Sequence, residues 1–193
     1  MIVDNIDKIK HLTKGLNHNS IIHIEYMQRK KDGLTSRSDN SILAEWYCDT
    51  EEKISNALKL GKILCDYNFG RLYINLSPKR KESITYNIAE KIIQDIKNKS
   101  WKPIPLLNHC IDSQIGTHKI WVVDIDDISQ NRKVNDFIQA QRSAWDNPVI
   151  DILFTPNGFH LLTHPFDCSK FQFEGVSLFK NGSTLAYANI PKN

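Results

Sequence analysis

Lys119-Ile120-Trp121-Val122-Val123-Asp124-Ile125-Asp126-Asp127 is an apolar run that ends in carboxylates, and its reading decides the fold. It predicts a buried strand over residues 118–126. Side chains alternate along a strand, which puts Val122, Asp124 and Asp126 on one face and Trp121, Val123 and Ile125 on the other. Two residues of strand advance roughly 6.5–7 Å. Two carboxylates aimed in parallel at that spacing can share one or two hard divalent cations, the arrangement used in nucleotide transfer. The alternative is a core strand that runs out into a solvated acidic turn.

A second motif lies downstream. Thr155-Pro156-Asn157-Gly158-Phe159-His160-Leu161-Leu162-Thr163 reads as a turn leading into a strand. Gly158 lets the backbone turn or approach another group closely. His160 then projects from the start of the strand, on the same face as Leu162 and His164. There it can donate to a phosphate oxygen with help from the loop amides, or simply cap the turn.

Around these motifs the pattern is one of alternating helices and strands. A short helix over 4–16 buries Ile6, Ile9 and Leu12 on one side. Strands follow at 21–27 and 41–48, separated by the turn Lys30-Lys31-Asp32-Gly33. Asp49-Thr50-Glu51-Glu52 starts a helix with a stripe of Ile54, Ala57, Leu58, Gly61, Leu64 and Cys65. A strand over 71–76 stops at Ser77-Pro78, and a second helix over 82–99 carries Ile84, Ile88, Ile92 and Ile96. Trp101-Lys102-Pro103-Ile104-Pro105 is a rigid connector. Beyond the acidic strand come a helix at 132–142, strands at 149–154 and 159–163, and a closing hairpin of 176–180 with 183–188 around Asn181-Gly182. The order predicts an α+β fold with a largely antiparallel or mixed sheet flanked by helices and further C-terminal strands. One domain is the simplest account, with residues 1–40 an accessory helix and hairpin and 41–190 the core.

The bulk properties are those of an ordinary globular protein of 193 residues with a net charge of +3. No apolar run approaches the ~20 residues needed to span a bilayer. The polar start of the chain and the four scattered cysteines without a CxxC pair lead to the expectation of a cytoplasmic protein with reduced thiols. Mild positive charge permits a nucleic-acid partner without demanding one. The basic residues cluster in Gln28-Arg29-Lys30-Lys31, read as a solvated turn, and in Lys79-Arg80-Lys81. Richness in Lys, Asn and Ile hints at an AT-rich genome such as that of a phage or low-GC bacterium.

The acidic strand and the glycine–histidine turn together resemble the first two motifs of the archaeo-eukaryotic primase superfamily. Arg71-Leu72-Tyr73-Ile74-Asn75-Leu76-Ser77-Pro78 resembles the strand that precedes them there, so the likeness spans residues 70–188. It implies a core related to the RNA-recognition fold, with Asp124 and Asp126 holding Mg²⁺ or Mn²⁺ and His160 touching the phosphates of an incoming nucleotide. Lys79, Arg80, Asn157, Gly158 and Lys180 are then candidates for binding nucleotide or nucleic acid. The partners implied are a single-stranded template, nucleoside triphosphates and replication proteins, with no membrane. The family carries a third acid on a later strand, where this chain has Ser177. Glu174, Asp167 and Asp151 are possible substitutes.

Two other readings compete. A core of this type without catalysis would serve as a nucleic-acid or protein-binding accessory of a phage or mobile element, with Tyr73, Trp121 and Phe159 as stacking platforms. Lys30-Lys31-Asp32-Gly33 also fits the lysine motif of covalent nucleotidyltransferases such as RNA ligases. A zinc site of His160, His164 and Cys168 lacks a second ligand pair.

Overall fold

Thr50 opens the longest helix by accepting a hydrogen bond on Oγ1 from the Lys53 amide at 3.2 Å. That helix, α2 (Glu51–Asn68), buries Ile54, Ala57, Leu58, Gly61 and Cys65 along one stripe, as its sequence spacing requires. The computed structural model describes residues 1–34, 40–99, 110, 118–141 and 145–191, so the Trp101–Pro105 connector lies outside the described residues. Also among the described residues are the helices α1 (Ile6–Leu12), α3 (Lys81–Lys97) and α4 (Asn131–Ala140).

Ten described strands form two sheets, and every pairing between them is antiparallel. The α+β class holds. The first sheet contains β1 (Ile2–Asp4), β2 (Ser20–Gln28), β3 (Ser41–Cys48), β4 (Gly70–Ile74), the short β5 (Lys79–Arg80) and β10 (Thr184–Asn189). Its order is β1-β10-β4-β2-β3, with β5 against the start of β2. The second sheet contains β6 (Trp121–Ile125), β7 (Val149–Phe154), β8 (Phe159–Thr163) and β9 (Val176–Phe179), in the order β7-β8-β6-β9.

Register decides which side chains meet helix α2. Ile24 lies opposite Ile74 and Tyr26 opposite Leu72, so these four share a face and pack with Leu58 and Cys65. Burying each such side chain is worth about 1.5–3 kcal/mol. Gly61 lets the helix come close: a Cβ there would lie 2.3 Å from Leu72 Cδ1. The alternate residues, Glu25 and Met27 on β2 and Arg71 and Tyr73 on β4, therefore point to the other side of the sheet.

The same alternation divides β6. Val122 joins Leu153 and Leu162 in the larger core, whereas Trp121, Val123 and Ile125 pack with Val134 and Ile138 of α4 and with Phe166. Two polar clamps fix one sheet against the other. The buried Asn5 side chain donates to Phe154 O at 2.8 Å and Leu185 O at 3.0 Å and accepts from Phe154 N at 3.2 Å. Ser77 Oγ accepts from Ile120 N at 3.1 Å and donates to Ile120 O at 3.2 Å.

One expectation is corrected. Residues 176–180 and 183–188 do not form a hairpin. β9 pairs with β6, and β10 pairs with β4 and β1, so the chain crosses between sheets at Asn181-Gly182. A type I′ turn needs positive φ at both central residues, and neither Asn181 nor Gly182 has it. The isoleucine stripe of α3 buries only Ile84, while Ile92 and Ile96 stay exposed among the described residues.

No described helix is long and apolar enough to cross a membrane. Burial pushes the thiols of Cys48 and Cys65 up, to about 11 and about 12. Both should therefore resist a thiol-reactive disulfide reagent in the native protein at neutral pH, while the partly exposed Cys168 reacts. Labelling of Cys48 or Cys65 at the rate of Cys168 before denaturant is added would contradict their burial.

Candidate functional site

β6 sits between β8 and β9, and its register places Asp124 opposite His160 on one side and Ser177 on the other. Strand pairing continues at Ile125, after which Asp126 lies just past the strand end and is exposed. The turn before β8 closes on itself: Gly158 N donates to Thr155 Oγ1 at 3.1 Å and Thr155 N donates to Gly158 O at 3.0 Å. Gly158 is required there by close approach, because a Cβ would lie 2.0 Å from the Ile125 carbonyl oxygen. This contact brings the histidine turn against the acidic strand end. Asp124, Asp126, Thr155, Asn157 and His160 consequently line one pocket.

His160 is buried and held from behind. Its Nδ1 accepts from the Leu185 amide at 3.4 Å and lies 2.8 Å from Thr184 Oγ1. A backbone amide can only donate, so in the neutral ring the proton is assigned to Nε2. Nε2 faces Asp124 Oδ1 at 3.4 Å, a contact better described as electrostatic than as a full hydrogen bond. Burial alone would raise the Asp124 carboxyl, but His160 and the cations of Lys31 and Arg29 outweigh it and hold it below the usual carboxylate range. Asp124 is an anion throughout the neutral range.

The facing wall is basic. Arg29 and Lys31 come from the turn after β2, and Arg71 and Tyr73 from β4. Arg71 is neutralised by Asp32 through two parallel bonds, Nε to Oδ2 at 2.7 Å and Nη2 to Oδ1 at 2.5 Å, with both side chains buried. Arg29 donates from Nη1 to the Tyr73 hydroxyl at 3.2 Å. Its Nε is buried with no partner among the described residues. Partial desolvation where Lys31 lines the gap, with Arg29 and Arg71 nearby, holds the ammonium of this otherwise exposed residue below the usual lysine range.

The gap between the walls is about 20 Å³, roughly room for one water or one ion. It adjoins a lobe of about 280 Å³ bounded by Glu25, Met27, Tyr73, Phe179 and Ser183. No family model, no curated protein and no solved structure matches this chain.

The structure brings together four of the residues singled out in the sequence, Asp124, Asp126, Asn157 and His160, and makes Gly158 the hinge that joins them. Lys79, Arg80 and Lys180 are elsewhere. Lys79 is buried on β5, opposite Ile21, and Arg80 borders a separate cavity beside Asn17 and Asn19. The Lys180 amine lies over the Trp121 ring at 5.1 Å, on the face of β6 turned away from Asp124. Trp121 and Phe159 are core residues, whereas Tyr73 borders the cleft.

Arg29, Lys31 and Arg71 were not expected here. The density of charge at Arg29-Lys30-Lys31 was visible, but a turn of that composition reads as solvated until β2 is known to pair with β4. Ser177 indeed stands beside Asp124 where a third acid was expected. Asp151 is taken by Lys8 at 2.9 Å, and Asp167 accepts from the Ser169 amide at 2.9 Å. The third carboxylate bordering the cleft is instead Glu25, from the facing sheet. Glu25 also groups with His23 and Glu45, whose ligand atoms all lie within 4.8 Å of one another. His164 stacks on Trp145 at 3.9 Å, and His160, His164 and Cys168 form no ligand group among the described residues.

Proposed function

We propose that this cleft is the site of a metal-dependent nucleotidyl transferase of primase-polymerase type, working on a single-stranded template with nucleoside triphosphates. The observation that supports it most is the opposition of two walls across one gap, acidic on the side of Asp124 and Asp126 and basic on the side of Arg29 and Lys31. Carboxylate oxygens are the hard donors that Mg²⁺ or Mn²⁺ prefers, and the gap has the volume of an ion. When bound, such an ion lowers the barrier by neutralising charge on the phosphate oxygens.

The chain's own residues have separate tasks. Asp124 and Asp126 supply the ligand oxygens. His160 is a positioning residue: anchored by Thr184 and Leu185, it directs Nε2 at one oxygen of Asp124, a residue that lines the cleft. The reaction is in-line attack by a 3′-hydroxyl on the α-phosphate, with release of pyrophosphate, promoted by alignment and charge complementarity.

The reading of the fold as a non-catalytic nucleic-acid binder draws support from Ser177, since one acid fewer weakens the hold on a second cation. The ligase-like reading finds less: Lys30 does not border the cleft, and the carboxylate of Asp32 is committed to Arg71.

A calorimetric Mn²⁺ titration paired with primer synthesis on single-stranded DNA tests the proposal. Wild-type protein should bind Mn²⁺ and extend, and the double replacement Asp124→Asn with Asp126→Asn should lose both. Metal affinity unchanged by that replacement removes the transferase reading. Metal binding without product under any nucleotide mixture turns the balance to the binder.

A further inference from the structure

We propose that Arg29 and Lys31 form a polyphosphate subsite on the wall facing Asp124 and Asp126. This assignment rests on the transferase reading of the cleft and names the part of the substrate that its basic side holds.

Three observations carry it. Arg29 keeps its Nε buried and unpaired among the described residues, and a buried guanidinium donor without an acceptor is costly to leave so. Arg29 lines the gap, where an anion would meet its guanidinium. Second, the charge of Arg71 is neutralised by Asp32, so the positive charge on this wall without a partner in the wall itself belongs to Arg29 and Lys31. Third, the wall is built in advance. The turn holds Asp32 N to Arg29 O at 3.1 Å and Gly33 N to Lys30 O at 2.9 Å, with Gly33 in the left-handed region at φ 71°. The Asp32–Arg71 pair then pins that turn to β4, which fixes where Lys31 stands.

The shape of the pocket argues for a small oligophosphate rather than a nucleic-acid backbone. A backbone-binding surface tracks along an open groove. Here the two cations converge on an ion-sized gap with carboxylates opposite, and the adjoining lobe of about 280 Å³, which Arg29 also borders, has the room for a phosphate chain. A phosphate chain carrying a divalent cation satisfies both walls at once, whereas either partner alone leaves like charges facing each other. Binding of the two should therefore be reciprocal, each raising the affinity for the other.

Inorganic tripolyphosphate is the probe, titrated calorimetrically into the full chain first with EDTA and then with Mn²⁺. Wild-type protein should bind it under both conditions, more tightly with Mn²⁺. Arg29→Met and Lys31→Met should each weaken binding about tenfold, the loss of one charge-assisted contact. Lys30→Met, on the adjacent exposed residue, should match wild type. Lys31 is itself exposed, so its variant decides the matter even if Arg29→Met unfolds. Wild-type protein that ignores tripolyphosphate, or a Lys31→Met protein that binds it as wild type does, overturns the subsite. Failure of the two ideas is separable: tripolyphosphate bound in EDTA by a chain that ignores Mn²⁺ ends the transferase reading and leaves the subsite standing. Mn²⁺ binding without tripolyphosphate binding does the reverse.

Discussion

Asp32→Ala is expected to cost about 3–5 kcal/mol of stability, as is usual when one member of a buried ion pair is removed. Both side chains are nearly out of contact with water, at 6% exposure for Asp32 and 5% for Arg71. Burial works against the Arg71 charge, and Asp32 and Tyr73 together outweigh it; a guanidinium is too basic to lose its proton at any working pH, so Arg71 stays charged after its partner is gone. The orphaned guanidinium must then be solvated inside the wall of the cleft, beside Arg29 and Lys31. Urea unfolding measures the loss. The double replacement Asp32→Leu with Arg71→Met should recover most of it, because two apolar groups need no partner. A loss below about 1 kcal/mol in Asp32→Ala would match a surface pair and show that water reaches these groups.

Gly158→Ala is the second large effect. The added methyl meets Ile125 O at 2.0 Å, Ile125 C at 3.0 Å and Asp126 Cα at 3.2 Å. All three are backbone atoms of the acidic strand end, so no flexible side chain can yield. Relief requires the start of β8 to draw away from the end of β6, at a cost of about 3 kcal/mol, the upper end for overpacking. The same displacement separates His160 from Asp124, so Mn²⁺ affinity should fall together with the unfolding midpoint. A variant with wild-type stability and wild-type metal binding would show that the turn tolerates a side chain and that its contact with β6 is incidental.

Parts of this architecture were legible because they depend on local pattern. Alternation along Trp121–Ile125 assigned each side chain to its correct face, and the stripe from Ile54 to Cys65 identified the buried side of α2. Asp124 and His160 were legible as candidates because an acid at a strand end and a histidine after a glycine turn are local features. What lies across the cleft was hidden because it is a product of pairing at a distance. Asp32 finds Arg71 only when β2 and β4 become neighbours, and nothing near either residue announces the other. Asn181-Gly182 misled for the opposite reason: the local turn signal is strong, but β4 and β6 each take one of the flanking strands. Lys79 and Arg80 follow a strand end as expected, yet β5 pairs with the start of β2, away from the acidic turn.

The place of β10 has a consequence for how the protein is made. This strand lies between β1 and β4 in space, although it follows all other described strands in the chain. A nascent polypeptide that has left the ribosome only as far as β9 already carries both aspartates. It still lacks the neighbour that β1 requires and the hydroxyl and amide that anchor the imidazole. Assembly of the cleft thus waits for translation of β10, and chains terminated before it display the acids without the contacts that anchor the ring.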